Sequence, residues 1–406
     1  MNYDFDISVA RRGTGCVKWD EMPADDIIPL WVADMDFPAA PAIRRAMQQR
    51  MDHGVFGYTM VQPAYYEAII SWFHRRHGWD IKREWIQYTT GVVPAMSAII
   101  RAMTQPGDEV VVLTPVYNCF FSCIRNQGCH IVEVPLRYGG ATGDMDTAPD
   151  ARYTIDYAAL EHSLASDKAK LLLFCNPHNP AARLWTREEL QRVSQLCLQH
   201  GVVVVSDEIH CEFTYNGQRY QPFATVSDAA RENCIACTAA SKAFNIAGLQ
   251  TANIVCTHPE WRQKIDRAIN DMEICDLNPF GPVALQAAYN ESEDWIDQLN
   301  AHTYDSYQAM RDYLAEHLPE AVVTPLEATY LVWVNVSAYC RRMGLSSQQL
   351  CARLRSEARV ALSPGTLYGA AGEGFVRVNT ACPKPQLMEG MRRMAEFVTS
   401  SSPSGH

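Results

Sequence analysis

The sequence predicts an α/β fold in which a large domain built on a mainly parallel sheet is followed by a smaller α+β domain. Short apolar runs alternate with helical patterns through the middle of the chain, which is typical of βαβ units. After about Pro282 the pattern changes to long amphipathic stretches. The length of 406 residues suits two domains. We expect an N-terminal segment (1–45) that packs with the small domain, a large domain (46–282) and a small C-terminal domain (283–406).

Six short apolar runs are the predicted strands of the large sheet: Glu109–Leu113, His130–Val134, Lys170–Phe174, Val202–Ser206, Cys234–Thr238 and Ala252–Cys256. A capping box of Thr186 and Glu189, with Gly201 beyond the end, indicates a helix between the third and fourth runs. Strands near Tyr330–Val334 and Phe375–Asn379 are predicted for the smaller domain.

Composition argues against several classes of partner. The formal net charge is −11 and no run of Lys and Arg stands out, which argues against binding to nucleic acid or an anionic membrane. The longest apolar stretches fall short of the roughly 20 residues that a membrane helix needs. The N-terminus lacks the apolar core of a signal peptide, and the 14 cysteines follow no regular spacing. We therefore expect reduced thiols in a cytoplasmic protein.

Polar side chains follow four of the predicted strands at the points where those strands end. They are Tyr117, Asn179 and Asp207 after the first, third and fourth runs, and Ser241 and Lys242 after the fifth. Ligands of an open parallel sheet bind beyond the carboxyl ends of its strands. We therefore expect an aromatic ring, an amide, a carboxylate and an amine to meet at one edge.

That set of groups is what a pyridoxal cofactor requires. An amine forms the Schiff base, a carboxylate keeps the pyridine nitrogen protonated, and a ring stacks on the cofactor. Upstream, Gly91, Val92 and Val93 open a helical pattern whose free backbone amides could receive a phosphate. Each residue also has a plain structural interpretation, such as a helix cap for Asp207 or a turn for Asn179.

The segment Ser241–Leu249 resembles the lysine segment of fold-type I pyridoxal-phosphate enzymes, the aminotransferase class I and II superfamily. Within it, the chain is similar to the cystathionine β-lyase branch typified by PatB and MalY. Further motifs of that branch follow in the family's order: Trp31–Phe37, Gly91–Ala95, Thr114–Tyr117, Asn176–Pro180 and Ser206–His210. The resemblance implies a seven-stranded-type sheet, with the cofactor bound by the large domain.

The resemblance also implies a role for each residue. Lys242 would form the imine with pyridoxal 5′-phosphate, and Asp207 would pair with the ring nitrogen. Tyr117 would stack on the ring and would be catalytic together with Lys242 and Asp207. Asn179 would bind the ring hydroxyl oxygen and contact the substrate, and Arg377 would bind the substrate carboxylate bidentately.

Other residues are implied around the cofactor and the substrate. The cofactor contacts would be completed by Gly91, Val92, Val93, Ser241 and His210. Tyr58 would reach across a homodimer interface to the phosphate and substrate of the partner subunit. His210 is expected to act as a hydrogen-bonding residue rather than an acid–base catalyst.

The implied activity is a carbon–sulfur β-lyase that cleaves cystathionine or a related cysteine S-conjugate to a thiol, pyruvate and ammonia. An aminotransferase is the alternative enzyme, because it shares every cofactor contact. A regulatory or binding protein on the same scaffold is a further alternative. No metal site is expected: Cys234 and Cys237 fall within one strand-like run, and His74 and His77 are expected on a solvated helix face.

Three positions depart from a pattern of the superfamily. Ala182 stands where a glycine usually follows a small residue, so a positive φ there would strain the loop that carries Asn179. This change leaves open a degenerate member that has lost the cofactor. His210 and Gln250 replace a tyrosine and a phosphate-binding arginine of many transaminases, and both fit the lyase branch.

Overall fold

The computed structural model describes residues 2–139 and 151–401 of the chain. Its helices are α1 (Val17–Asp20), α2 (Pro41–His53), α3 (Pro63–His77), α4 (Val92–Met103), α5 (Cys119–Asn126), α6 (Tyr157–Leu164), α7 (Arg187–Gln199), α8 (Asp228–Glu232), α9 (Pro259–Asp271), α10 (Gly281–Glu291), α11 (Glu293–His317), α12 (Ser337–Met343), α13 (Ser347–Arg353) and α14 (Lys384–Ser401).

The strands are β1 (Ile28–Pro29), β2 (Ile86–Thr89), β3 (Glu109–Thr114), β4 (His130–Pro135), β5 (Arg137–Gly139), β6 (Arg152–Thr154), β7 (Ala169–Cys175), β8 (Val203–Asp207), β9 (Cys234–Thr238), β10 (Ala252–Cys256), β11 (Val322–Val323), β12 (Leu331–Asn335), β13 (Val360–Ala361), β14 (Ser363–Pro364) and β15 (Phe375–Asn379). No helix within the two described ranges combines the length and apolar character that a bilayer crossing requires.

A seven-stranded sheet in the order β2-β10-β9-β8-β7-β3-β4 forms the centre of the molecule. All six predicted runs are strands of this sheet, and their ends lie within one residue of the predicted ones. Only β10 runs against its neighbours, since it pairs antiparallel with both β9 and β2. The predicted α/β class with a mainly parallel sheet is therefore confirmed.

Apolar side chains fill both faces of this sheet, as expected where helices cover a parallel sheet on two sides. One core cluster includes residues of α4, α5 and α9, and the other includes residues of α3, α7 and α10. Cys234 and Cys237 belong to different clusters, because side chains three apart on β9 point to opposite faces. They therefore do not form a joint metal site.

Helix α7 has the predicted capping box. The Thr186 hydroxyl accepts from the Glu189 amide at 3.2 Å, and the Glu189 carboxylate accepts from the Thr186 amide at 2.8 Å. Gly201 follows the helix with φ +66°, a left-handed conformation that favours glycine. This helix connects β7 to β8 and so helps to place Asp207 at the end of β8.

The C-terminal part contains an antiparallel sheet in the order β11-β12-β15-β14. Strand β15 matches its predicted bounds, whereas β12 lies one residue further along than predicted. Strand β1 pairs in parallel with β13 and so joins the N-terminal segment to this part, while α10 packs against α2 and α3. The domain boundaries at residues 45 and 282 stay a prediction.

Candidate active site

A cavity of about 180 Å³ lies at the carboxyl ends of the parallel strands. Nine of the predicted cofactor residues line it, and they come from five separate stretches of the chain: Gly91, Val92, Val93, Tyr117, Asn179, Asp207, His210, Ser241 and Lys242. Parallel strands end at one edge of the sheet, which is why residues distant in sequence meet there. The roles of these residues stay predictions, but the structure brings their side chains and backbone to one place.

Asp207 is the last residue of β8 and is almost completely buried. Its Oδ1 atom accepts from the Ile209 amide at 3.2 Å. Burial raises the pKa of this carboxyl to about 7, the Glu208 charge also raises it, and the Ile209 amide and Lys242 lower it. A buried carboxylate with so few donors is suited to a cationic N–H partner such as a protonated ring nitrogen.

Lys242 lies just beyond β9 with its amine in the same cavity. Its Nζ atom donates to the Ala33 carbonyl at 2.7 Å. Burial and the Arg377 charge lower the pKa of Lys242, while Asp34 and Asp207 raise it. A lowered pKa increases the fraction of neutral amine, which is the form that acts as a nucleophile or base.

The N-terminus of α4 forms another side of the cavity. Gly91 precedes the helix, and the first amides of an α-helix have no partner within it. These amides and Ser241 provide donors that suit a phosphate. Gly91 has an extended backbone with φ 165°, so backbone conformation does not require a glycine there. Crowding favours glycine, because a Cβ atom would lie 3.3 Å from Pro94 Cδ.

Arg377 lies on β15 and is buried, so it is not a surface ion-pair partner. Its Nη1 atom donates to Asn179 Oδ1 at 3.1 Å, and Nη2 donates to the Trp31 carbonyl at 2.8 Å. The buried Nε has no hydrogen-bond partner among the described residues. A buried guanidinium with a free N–H beside Asn179 is suited to a carboxylate ligand.

Ala182 adopts a left-handed conformation with φ +55°, which is the source of strain expected at this position. For an alanine this conformation costs roughly 1–2 kcal/mol. The Ala182 carbonyl accepts from the amides of Glu327 and Ala328 at 3.2 and 3.1 Å, which helps to hold the loop in place. Asn179 lines the cavity despite the substitution.

His210 and Tyr117 are both held neutral by their surroundings. Burial, together with the charges of Lys242 and Arg377, lowers the pKa of His210 to about 3. Its ring Nδ1 has no partner within the described part of the chain. Burial and the neighbouring Cys119 raise the pKa of the Tyr117 phenol. Both side chains can therefore serve as hydrogen-bonding groups at neutral pH.

Tyr58 does not reach the cavity of its own chain. Its side chain is completely exposed, and nearby apolar residues are exposed as well: Met51, Val55, Phe56 and Met60. This placement leaves the predicted contact with a partner subunit as a proposal.

The Trp31–Phe37 segment was predicted as a motif, but the contacts that its backbone makes were not predicted. The Ala33 carbonyl holds Lys242, and the Trp31 carbonyl holds Arg377. Tyr330 was also missed, although its hydroxyl donates to the Ala33 carbonyl at 2.9 Å. Backbone carbonyls leave no mark in a sequence, so no signal could have assigned these contacts.

The expected position of His77 on a solvated helix face is wrong, whereas that of His74 is correct. The His77 side chain is only 8% exposed, and its Nε2 lies 2.8 Å from Glu212 Oε1. Together with Cys211 these groups lie close enough to hold a metal ion. The Glu212 carboxylate is already occupied by hydrogen bonds from Trp72 and Arg76, which a metal ion would have to displace.

Comparison with known proteins gives the family. The model of the aminotransferase class I and II family matches residues 25–394. The chain belongs to this family. It is 39% identical to the cystathionine β-lyase PatB of Bacillus subtilis (strain 168) over 96% of this chain and 98% of that protein.

Two solved structures are also similar. A PLP-bound putative aminotransferase from Clostridium difficile 630 has a TM-score of 0.92 and 35% identity, with 98% of this chain and 100% of that chain covered. Cystalysin from Treponema denticola, which contains a pyridoxal 5′-phosphate cofactor, has a TM-score of 0.91 and 31% identity over the same shares. The predicted family, fold and cofactor are confirmed.

Proposed function

We propose that the chain is a pyridoxal-phosphate-dependent carbon–sulfur β-lyase that cleaves cystathionine or a related cysteine S-conjugate. The products are a thiol, pyruvate and ammonia. One observation carries the proposal: Lys242 and Asp207 line a single cavity in a chain that is 39% identical, over nearly its whole length, to a cystathionine β-lyase. The chemistry of the cavity and the name of the relative point to the same reaction.

The residues of the cavity divide the chemical work among themselves. The bound cofactor supplies an electron sink that stabilises negative charge on the substrate Cα atom. Lys242 would hold the cofactor through Nζ, and the same atom would take the Cα proton of the substrate. Asp207 would accept a hydrogen bond from the protonated ring nitrogen. The amides of Val92 and Val93, with Ser241, bind the phosphate.

The substrate carboxylate binds to Arg377, with Asn179 beside it. The free Nε of the guanidinium is buried and needs an acceptor, which a carboxylate oxygen provides. The segment Trp31–Phe37 lies over this site and supplies carbonyls that fix both Arg377 and Lys242. It thereby orients the two basic side chains of the site and helps to exclude water.

A homodimer in a reducing compartment, the cytoplasm, completes the proposal. The exposed apolar residues around Tyr58 support an interface there, through which Tyr58 would bind the phosphate and substrate of the partner subunit. All fourteen cysteines are free thiols, which suits a reducing environment. In the proposed division of the chain, residues 46–282 bind the cofactor, and 283–406 together with 1–45 form the small domain.

The assay that tests this function omits any 2-oxo acid. Incubation of the cofactor-loaded protein with cystathionine should release thiol and pyruvate in equal amounts, and the Lys242→Ala variant should release neither. An aminotransferase is the second candidate, favoured by the similarity to the putative aminotransferase from Clostridium difficile. Amino-group exchange that depends on an added 2-oxo acid, without thiol release, would replace the lyase by that candidate.

A further inference from the structure

The carbonyl oxygen of Ala33 accepts two hydrogen bonds in the interior of the site. One comes from Lys242 Nζ at 2.7 Å and the other from the Tyr330 hydroxyl at 2.9 Å. Tyr330 is completely buried and lies immediately before β12. The amine and the phenol thus share one acceptor, although they are 88 residues apart in sequence.

We propose that Tyr330 is a positioning residue for Lys242: its hydroxyl occupies one lone pair of the Ala33 carbonyl and so sets how strongly that oxygen holds the amine. This inference rests on the proposed function, in which Lys242 binds the cofactor and accepts the Cα proton. Two donors on one oxygen compete for its electron density. Donation by Tyr330 therefore weakens the hydrogen bond from a protonated Lys242 amine to the Ala33 carbonyl. Tyr330 thereby favours the neutral, reactive form of Lys242.

The position of the Tyr330 ring does not depend on this hydroxyl. The ring packs edge-on against Phe213 at 4.8 Å and against His210 at 5.9 Å between ring centroids. Its backbone carbonyl accepts from the amide and the hydroxyl of Thr380, both at 3.0 Å. Removal of the hydroxyl alone therefore leaves the ring in place.

The Ala33 carbonyl is likewise held by other contacts. Asn379 Nδ2 donates to the carbonyls of both flanking residues, to Val32 at 2.5 Å and to Asp34 at 2.6 Å. The carbonyl consequently stays near Lys242 when Tyr330 stops donating. What changes is the number of donors on the oxygen.

Several charges act on Lys242 besides this carbonyl. Arg377 on β15 opposes a charged amine, whereas Asp34 of the N-terminal segment, Asp207 on β8 and Cys119 on α5 favour it. His210 also faces the amine and is neutral at the pH of the assays. None of these groups is altered by replacing Tyr330 with phenylalanine. A change in the titration of Lys242 can therefore be assigned to the lost hydroxyl.

The test compares Tyr330→Phe with Tyr215→Phe. Tyr215 is a matched control, because it is also buried and its hydroxyl donates to the Thr329 carbonyl at 2.6 Å, one residue from Tyr330. Competitive labelling of the cofactor-free full chain with acetic anhydride, followed by mass spectrometry, gives the titration curve of Lys242. We expect this curve to move up by about half a pH unit in Tyr330→Phe, since neighbouring hydrogen bonds alter one another by roughly 10–30%. In Tyr215→Phe the titration curve of Lys242 should coincide with the curve of the unmodified chain.

The acid limb of kcat for thiol release in the cofactor-loaded enzyme should move in the same direction. Incorporation of 3-fluorotyrosine at position 330 provides a second variant, because its stronger donor should move the Lys242 curve down. Coincident curves for the Tyr330→Phe and Tyr215→Phe variants, or a downward shift in Tyr330→Phe, would overturn the inference. An unmodified enzyme that releases no pyruvate from cystathionine would instead refute the proposed function and leave the labelling result to stand alone.

Discussion

Two ionisable residues of the cavity, Asp207 and Lys242, are shifted from their ordinary acidity by the same burial. Burial raises the pKa of the carboxyl and lowers that of the amine, so each group is closer to neutral at physiological pH than it would be in water. Both groups are thus suited to a ligand that brings its own charge. A protonated ring nitrogen would restore the negative charge of Asp207.

The first prediction concerns the stability of the cofactor-free chain. The carboxyl of Asp207 has a pKa of about 7 when folded, against 3.8 as its ordinary value, so the folded state binds more protons between those pH values. Its contribution to stability therefore falls as the pH rises from about 4 to about 7. We expect Asp207→Asn to be more stable than the unmodified chain at pH 8, by up to about 4 kcal/mol, and nearly equal to it at pH 4. Urea unfolding of both cofactor-free proteins at the two pH values measures the difference. An equal difference at both pH values contradicts this account.

The second prediction concerns Arg377. Substitution by lysine keeps the positive charge but removes the planar pair of donors that a carboxylate prefers. We expect Arg377→Lys to raise KM for cystathionine by about 10- to 100-fold, the effect of losing one charged hydrogen bond, with a smaller effect on kcat. Arg137→Lys is the control, because the Arg137 ion pair with Asp156 lies at the surface. Equal KM values for the two variants would show that Arg377 does not bind the substrate carboxylate.

At the level of elements, the parts predicted best from the sequence are the buried strands. Their continuous apolar runs, as at Glu109–Thr114, result from burial on both faces of a parallel sheet. Strand β2 was missed because it lies at the edge of the sheet and its central residues, Gln87 and Tyr88, are only half-buried. The reversed direction of β10 was not predicted either, since an apolar run carries no mark of direction. The site could be predicted from the side chains that come after the strand ends. The contacts of the Trp31–Phe37 backbone could not be predicted from the sequence.

The third prediction concerns the attachment of that segment. Asn379 holds it through two donors and also accepts from the Ala381 amide at 2.8 Å. We expect Asn379→Ala to lower the free energy of unfolding by about 2–4 kcal/mol, because several buried groups lose their partners. In this variant, amide hydrogen exchange should accelerate within residues 31–37. Asn270→Ala, which removes an exposed helical contact, should change neither the free energy of unfolding nor that exchange rate. Unaltered exchange in the segment would show that other contacts hold it.

At the level of the whole molecule, the exposed apolar residues from Met51 to Met60 are the feature that a single chain does not explain. They extend from the last turn of α2 into the segment that precedes α3, and this segment includes Tyr58. Apolar side chains grouped in this way commonly mark a protein interface. In a symmetric dimer each Tyr58 would then belong to the site of the other subunit.

The fourth prediction separates a shared site from an independent one. Lys242→Ala and Tyr58→Ala chains are each expected to form dimers of very low activity. In mixed dimers one site would combine an intact Lys242 with an intact Tyr58 of the partner subunit. Random mixing should therefore restore about a quarter of the unmodified activity. If Tyr58 acts within its own chain, mixing restores nothing, and the shared site must be abandoned.

In the proposed function, Lys242 holds pyridoxal phosphate in the cavity that it shares with Asp207. Borohydride reduction of the cofactor-loaded protein, followed by proteolysis and mass spectrometry, tests this attachment directly. We expect to find the reduced cofactor on Lys242 alone, and we expect a Lys242→Arg variant to carry none. Recovery of the cofactor on another residue, such as the surface Lys264, or on no residue of a catalytically active enzyme, would contradict it.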